Sequence, residues 1–568
     1  MSETHTKYSY FTNYKMLLDI SLELLLKLHN IYAISMNDIF LDSNIKLIKE
    51  NLYINEILDI LNDENTKSNS YYDNKHKTNN INYSIFQKLS QLDDYIFNYN
   101  KNNINSVFYN TNTNNNTNTN NNTTTSTSSQ IDKSTKNLNS LIILYKQVMN
   151  SDLIINNDYY NINSNNNPIN KKEYEVNVLS NFIIQNIGFT RNNNSIVFKN
   201  LFLEVGCGKS YLYKKLKSMY NDILYIGIDK KDKLIEKTKL EDKQMLIYNY
   251  NVDYSNFNTI FNEYILKDLQ SKNIINSNNC IINNSILLGL HTCGDLTSNI
   301  IKVFANTNLK AFNTLAIIGC CFNLLTEYVD NKIIDSKIFK SYVTSIGYNE
   351  KGICLDETII NNFDFKVIGF PMSKYAINTS INNNFFLGRL IRNSAMLVNE
   401  NFSSKNTDLM QHIKKLFYRA LLQKLIEIHV PELNKFYGFG KIKKSIGISS
   451  FKEYILLIIE NLKKLKNNSV IYDKYTVGYN KLYELICPNK YSNNNFKNFL
   501  DIYYTQEYYN IFVAFFFIRV KFAKLIELYV NLDRVIYIIE NNISIVKLYK
   551  IFDDNYSNRN FLIYARKE

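Results

Sequence analysis

An apolar run ends in Glu204-Val205-Gly206-Cys207-Gly208-Lys209-Ser210, and the helical pattern YLYKKL follows at once. In a strand, glycine turn and helix of this kind, free backbone N–H groups and a helix N-terminus meet the polar groups of a ligand. A triphosphate cradle of the form G-x-x-x-x-G-K-[ST] requires a glycine five residues before Gly208, and that position is Leu203. A dinucleotide fingerprint requires a third glycine where Tyr211 stands. The shorter turn Glu204-x-Gly206-x-Gly208 suits a ribose and an amino-acid tail. These residues therefore point to an S-adenosylmethionine site.

Asp229 closes the next apolar run, LYIGID, about 20 residues after the turn, where an acid can accept both hydroxyls of a ribose. Capping of the following helix is the plainer use of the same residue. Cys207, Lys209, Ser210 and Lys230 flank the turn and the acid and complete the expected cofactor-binding set. Asp253, just past a third strand, is either an adenine contact or a turn residue.

A fourth run, LLGLHTCGDLT, brings His291, Cys293 and Asp295 to the carboxyl edge of a sheet, where α/β proteins bind ligands. His291 is a candidate cofactor contact, and with Asp295 a candidate catalytic group; a bond within the strand edge is its structural alternative, and helix capping that of Asp295. A fifth run ends in Cys320 and Cys321. One histidine and three cysteines raise the question of zinc, but no C-x-x-C pair is present and adjacent cysteines at a strand end pack as small apolar groups. No metal is expected.

These groups must be positioned by a scaffold. Residues 1–100 read as a helical region, from apolar residues at helical spacing over 14–30 and, less cleanly, over 46–61 and 84–98. Residues 102–137, centred on NTNTNNNTNTNNNTTTSTSSQ, hold too few apolar side chains to offset the entropy of ordering and read as a disordered insertion dispensable for folding. Short β-branched runs alternating with charged helical segments mark 171–374 as an α/β domain, with strands at 200–205, 224–229, 245–249, 285–291 and 314–320. Residues 375–520 read as a helical insertion. Residues 521–568 supply a last helix and a hairpin, with Val546, Leu548, Leu562 and Tyr564 expected on one face.

Composition narrows the partners. The chain has 568 residues, 45% of them hydrophobic, and a net charge of +13, which is compatible with a nucleic-acid partner. The abundance of lysine, asparagine, isoleucine and tyrosine also follows from AT-rich coding. Seven cysteines without a leader pattern imply a reducing, intracellular setting, cytoplasmic or nuclear, and no disulfides. The longest apolar run, IFVAFFFI, is closed by Arg519 and Lys521, so no membrane partner is expected. Nothing in the sequence signals an oligomeric state.

The segments EVGCGKSYLYKKL, LHTCGDLT, GCCFNLLTE and GFPMSK together resemble the methyltransferase-like protein 25 family, which includes the ribosomal RNA adenine dimethylase domain-containing protein. NKKEYEV, LFYRALLQ, LDRVIYIIE and SNRNFLIYARK extend the likeness over most of the chain from residue 170. Ser210, Tyr174 and Asn323 depart from it, standing where the family has Gly, His and His. The resemblance implies a class I, Rossmann-like α/β fold: a seven-stranded sheet whose last strand is antiparallel, with the helical insertion before the last two strands. It also implies S-adenosylmethionine-dependent methyl transfer. The clamp that holds an adenine amino group, an Asn or Asp followed by Pro-Pro and an aromatic, is replaced here by His291-Thr292-Cys293-Gly294. The strand-end H-x-C-G and the later cysteine pair are similar to those of transfer RNA 2′-O-methyltransferases. RNA is thus the expected substrate. A protein substrate, or a degenerate cofactor-binding interaction protein, are the competing expectations.

Overall fold

In the computed structural model the described residues are 2–32, 34, 39–40, 42–62, 136–156, 170–187, 200–220, 223–242, 245–275, 285–306, 312–346, 356–397, 407–433, 442, 446–463, 469–487, 494–554 and 556–567. The asparagine-rich segment, up to residue 135, and the expected helix over 84–98 lie outside them. The chain forms two compact units. One comprises 1–29, 145–399 and 522–568, and the other 30–144 and 400–521.

The first unit is built on a sheet whose strands are β1 (Ile154–Asn156), β2 (Asn200–Val205), β3 (Ile223–Asp229), β4 (Leu246–Asn249), β5 (Ser285–Cys293), β6 (Thr314–Cys320), β9 (Ile545–Lys550) and β10 (Phe561–Arg566). Two short strands, β7 (Glu327–Tyr328) and β8 (Ile359–Ile360), pair separately. Across the large sheet the order is β4-β3-β2-β5-β6-β10-β9-β1. Every neighbouring pair is parallel except the two made by β10, which runs antiparallel to both β6 and β9. The hairpin from the chain's end thus closes the sheet started by β2 to β6. The sheet has eight strands where seven were expected. The extra one, β1, is three residues long and adds to the edge by pairing with β9.

The parallel strands are buried on both faces, which is why they read as continuous apolar runs. On one face Phe202, Ile286, Leu288, Ala316 and Ile318 pack against Tyr174, Leu179 and Phe182 of the helix Lys171–Ile187 and Leu212 and Leu216 of the helix Tyr211–Met219. The other face carries the helices Asp295–Asn306 and Ala523–Glu540: a Cβ added to Gly319 of β6 would meet Thr297 of the first and Arg534 of the second. The hairpin faces differ from expectation. Leu562 pairs with Tyr549 and joins it and Tyr564 in the first core, while Leu548 and Val546 pair with Ile563 and Ala565 on the opposite side. Residues of adjacent strands that sit opposite each other share a face, so a one-residue error of register moved half of the predicted set.

The cores of the helical segments bind remote motifs. Asp533, fully buried in Ala523–Glu540, accepts from the backbone N–H groups of Met372 (2.7 Å) and Ser373 (2.8 Å) and from the Ser373 hydroxyl (2.7 Å), so GFPMSK is fastened to LDRVIYIIE. Glu540 at the end of the same helix takes the N–H groups of Lys374 and Tyr375. Fully buried Arg392 bonds Glu327 at 3.1 Å, with further bonds to carbonyls at Phe322 and Leu325.

The second unit is helical where described, with Asp42–Lys49, Leu52–Asn62, Thr407–His429, Phe451–Lys463, Ser469–Ile486, Asn495–Tyr503 and Gln506–Lys521 as its main helices. The Gln506–Lys521 helix, which contains IFVAFFFI, is buried from Tyr509 to Lys521. Phe512 meets Phe40 and Phe417, and the guanidinium of Arg519 donates to the carbonyls of Ile31 and Tyr32. An all-round apolar helix is a core helix here. Among the described residues no helix is long and apolar enough to cross a membrane.

Deleting residues 541–568 removes β9 and β10 and leaves the β6 edge and the Ala523–Glu540 helix without their partners. We expect the shortened chain to lose its cooperative thermal transition; a soluble product with an unchanged melting temperature contradicts this topology.

Candidate active site

At the carboxyl ends of β2, β3 and β5 lies a cavity of about 840 Å³. Its floor is the glycine turn. The N–H groups of Gly206 and Cys207 both bond the carbonyl of Ile228, at 2.7 and 3.2 Å, which folds the end of β2 onto β3. Gly206 and Gly208 have φ of 77° and 55°, in the left-handed region that glycine enters without strain, and Ser210 (φ 52°) opens the helix. A side chain at Gly208 would meet nothing within 4 Å, so this backbone presents an open face.

The turn also orients the acid. The N–H of Gly208 donates to Asp229 at 2.9 Å, and the other carboxylate oxygen accepts from Lys231 N–H at 3.0 Å. Glu204 is 3% exposed and receives the hydroxyl of Tyr225. Burial, and less so the charge of Asp229, push its carboxyl up to about 8 against the opposing pull of Lys172. Cys207 turns its sulfur inward, 2.9 Å from where Gly227 would carry a Cβ, and burial pushes that thiol up. Lys230 reaches the cavity wall, whereas Lys209 is exposed and stands outside it. Asp253 lines the cavity too, but its carboxylate accepts from the N–H groups of Ser255 (2.8 Å) and Asn256 (3.0 Å), a turn-closing arrangement.

His291 sits in a bulge of β5. The pairing with β6 shifts between Leu290 and Thr292, and His291 has φ 61°. Regular alternation would send His291 to the face of Gly289 and Thr292; the extra residue turns it with Leu290 toward the Lys171–Ile187 helix. There His291 Nε2 lies 2.8 Å from Glu175 Oε2. A left-handed histidine in a strand is strained, and this hydrogen bond together with the bulge holds it there. Ser557 donates its hydroxyl to the other oxygen of Glu175 at 2.6 Å, and Lys171 lies 3.7 Å away. Burial alone would raise Glu175. The bonds from His291 and Ser557 and the charges of His291 and Lys171 outweigh it and bring the carboxyl below the usual glutamate range.

Asp295 lines the cavity at the start of its helix, and both its oxygens are engaged by Thr326, through N–H at 2.8 Å and hydroxyl at 2.6 Å. It fastens the loop after β6 to the end of β5. The structure therefore gathers Glu204, Gly206, Cys207, Gly208, Asp229, Lys230, Asp253, His291 and Asp295 at one cavity, and leaves outside it Lys209, which is exposed, and Ser210, which is fully buried at the start of its helix. The sequence reading gave no role to Glu175, Tyr225 or Ser557. Glu175 carried a local signal, since Lys171 and Glu175 are spaced i, i+4 on one helix face.

The strand order, with a single antiparallel strand inserted beside β6 and a glycine turn after β2, defines a class I methyltransferase fold. Residues 171–328 match the methyltransferase domain family. The chain is similar to the probable methyltransferase-like protein 25 of Mus musculus, with 26% identity over 314 residues, and to that of Homo sapiens, with 27% over 322 residues. These alignments cover 54% and 55% of the chain and 40% and 41% of the relatives, so the chain spans about two fifths of their length. No solved structure is significantly similar.

A carboxyl raised by folding binds its proton more tightly in the folded state, so its contribution to stability is present at low pH and is lost as the pH rises through about 8. Glu204→Gln removes that dependence. The melting temperature of the parent should fall relative to Glu204→Gln as the pH is raised from about 5 to about 9; a difference that does not vary with pH contradicts the assignment.

Proposed function

We propose that the cavity binds S-adenosylmethionine and that the chain transfers a methyl group to RNA. One observation carries the cofactor reading: the glycine turn that opens the cavity also donates, through Gly208 N–H, to the strand-end acid Asp229. The donor set fits the group. The carboxyl of Glu204, which a neighbouring ammonium would hold ionised, and the carboxylate of Asp229 match an ammonium and a ribose diol, the open backbone at Gly208 admits close approach, and Asn299 Oδ1, on the cavity wall, is buried without a hydrogen-bond partner. Glu204, Gly206, Gly208 and Asp229 would hold the cofactor, with Asp253 beside them.

When bound, the cofactor supplies a methyl group on a positively charged sulfur. The remaining work falls to His291 and Glu175. The carboxylate of Glu175 accepts Nε2–H, which fixes the imidazole as the tautomer with its lone pair on Nδ1. That lone pair would take the proton of an acceptor hydroxyl and so make its oxygen the nucleophile toward the methyl group the cofactor would supply. Glu175 then stabilises the imidazolium. A hydroxyl acceptor is favoured because the residues that clamp an adenine amino group are absent from His291-Thr292-Cys293-Gly294.

The walls favour a polyanion. Lys171, Lys172, Lys230 and Lys231 line the cavity, and the Lys172 ammonium stands 4.1 Å from the centre of the Tyr211 ring, which is 39% exposed. An exposed aromatic beside lysines suits stacking of an unpaired base.

Asp229→Ala should weaken S-adenosylmethionine binding by about 1–3 kcal/mol in calorimetry; unchanged affinity removes the cofactor assignment. Labelled methyl groups offered to fractionated RNA and protein from cells lacking the chain should enter RNA, with binding that weakens steeply as salt rises. Label confined to protein, or cofactor binding with no transfer, overturns the RNA reading.

A further inference from the structure

Beside the cavity three cysteines meet. Cys293 ends β5, Cys320 ends β6 as its register partner, and Cys321 follows with φ 51°, a left-handed turn that brings its sulfur back to the other two. The sulfurs lie 3.2 Å (Cys293 to Cys320), 3.4 Å (Cys293 to Cys321) and 3.7 Å (Cys320 to Cys321) apart. Three thiolates around one tetrahedral zinc, with bonds of about 2.3 Å, place their sulfurs roughly 3.8 Å apart. The observed triangle is a slightly compressed version of that face. A disulfide would join only two of these sulfurs and leave the third without a role.

The surroundings favour an anionic cluster. Arg534, fully buried, has Nε and Nη2 without hydrogen-bond partners, with Asp533 and Asp295 the main negative charges acting on it. Arg534 and Arg559 both stand over the ring of Phe322, the residue after the pair, at 5.6 and 5.7 Å. Arg559 is paired with Glu527 at 3.3 Å, whereas the two open donors of Arg534 accommodate a further negative group. Three thiolates with one divalent ion carry a net charge of −1.

We propose that Cys293, Cys320 and Cys321 bind a zinc ion through three thiolates, with its fourth position open toward the cavity. Cys320 is buried and Cys321 half-buried, while Cys293 is exposed and lines the cavity, so the open side of the triangle is the cavity side. His291 is not the fourth ligand, because its Nε2 is committed to Glu175 and it stands outside the group whose ligand atoms lie within 4.8 Å of one another. Three protein ligands and one open position form the arrangement that zinc enzymes use to hold water or an oxygen ligand. The inference rests on the sulfur geometry and is independent of the methyl-transfer reading.

The test uses the full chain purified under reducing conditions without chelators. Elemental analysis should find about one zinc per chain, and reloading with Co²⁺ should give thiolate-to-cobalt charge-transfer absorption. Both signals should be lost in Cys293→Ser and Cys321→Ser and kept in Cys487→Ser, which alters a cysteine outside the cluster. If Cys321→Ser fails to fold, thiol titration of the parent decides, since added zinc should protect three thiols from modification. Zinc far below stoichiometry after incubation with the ion, cobalt without charge transfer, or a disulfide within the cluster in peptide maps would overturn the proposal.

Discussion

A carboxylate that is only a few per cent exposed has to be paired, and Glu175 is paired with groups 116 and 382 residues away. One oxygen faces His291 and the other takes the hydroxyl of Ser557. The pairing exists only if the Lys171–Ile187 helix, the end of β5 and the loop before β10 converge. The strand order ensures this, because the final hairpin enters beside β6 and delivers Ser557 and Arg559 to the edge where His291 and the cysteines already stand. The bulge in β5 is the local counterpart: without the extra residue, the imidazole would face away from Glu175.

The same economy recurs around the site. Asp295 holds Thr326, Glu327 holds the turn at Leu387 and Gly388 as well as Arg392, and Asp533 holds Met372 and Ser373. Burial pushes Asp533 up to about 6, yet its three donors compensate much of the cost of enclosing it. Segments that look unrelated along the chain are thus the two halves of single polar contacts, and removing either half leaves a buried charge without its partner.

Much of the fold was legible because its signals are local. The strands β2 to β6 were read within two residues of their ends, since parallel strands buried on both faces appear as unbroken apolar runs. The glycine turn and Asp229 were legible for the same reason. β1 was not, being three residues beside an asparagine-rich stretch, and the hairpin register was not, because apolar residues occur on both faces of β9 and β10. Glu175 and Ser557 were invisible in their roles, as nothing in NKKEYEV or SNRNF indicates what each will face. The closeness of the three sulfurs was only partly legible from spacing. A C-x-x-C rule sees neighbours along one chain segment, whereas adjacent parallel strands bring Cys293 and Cys320 side by side across 27 residues.

The account turns on Glu175 as the group that positions His291. Its most direct measurement is the single-turnover rate of methyl transfer to RNA by Glu175→Gln, taken together with the S-adenosylmethionine affinity of the same variant. The account predicts that transfer falls about 10²–10⁴-fold, the range of general-base catalysis, while cofactor affinity stays within about twofold of the parent. Transfer at the parent rate with the Glu175 carboxylate removed would contradict it.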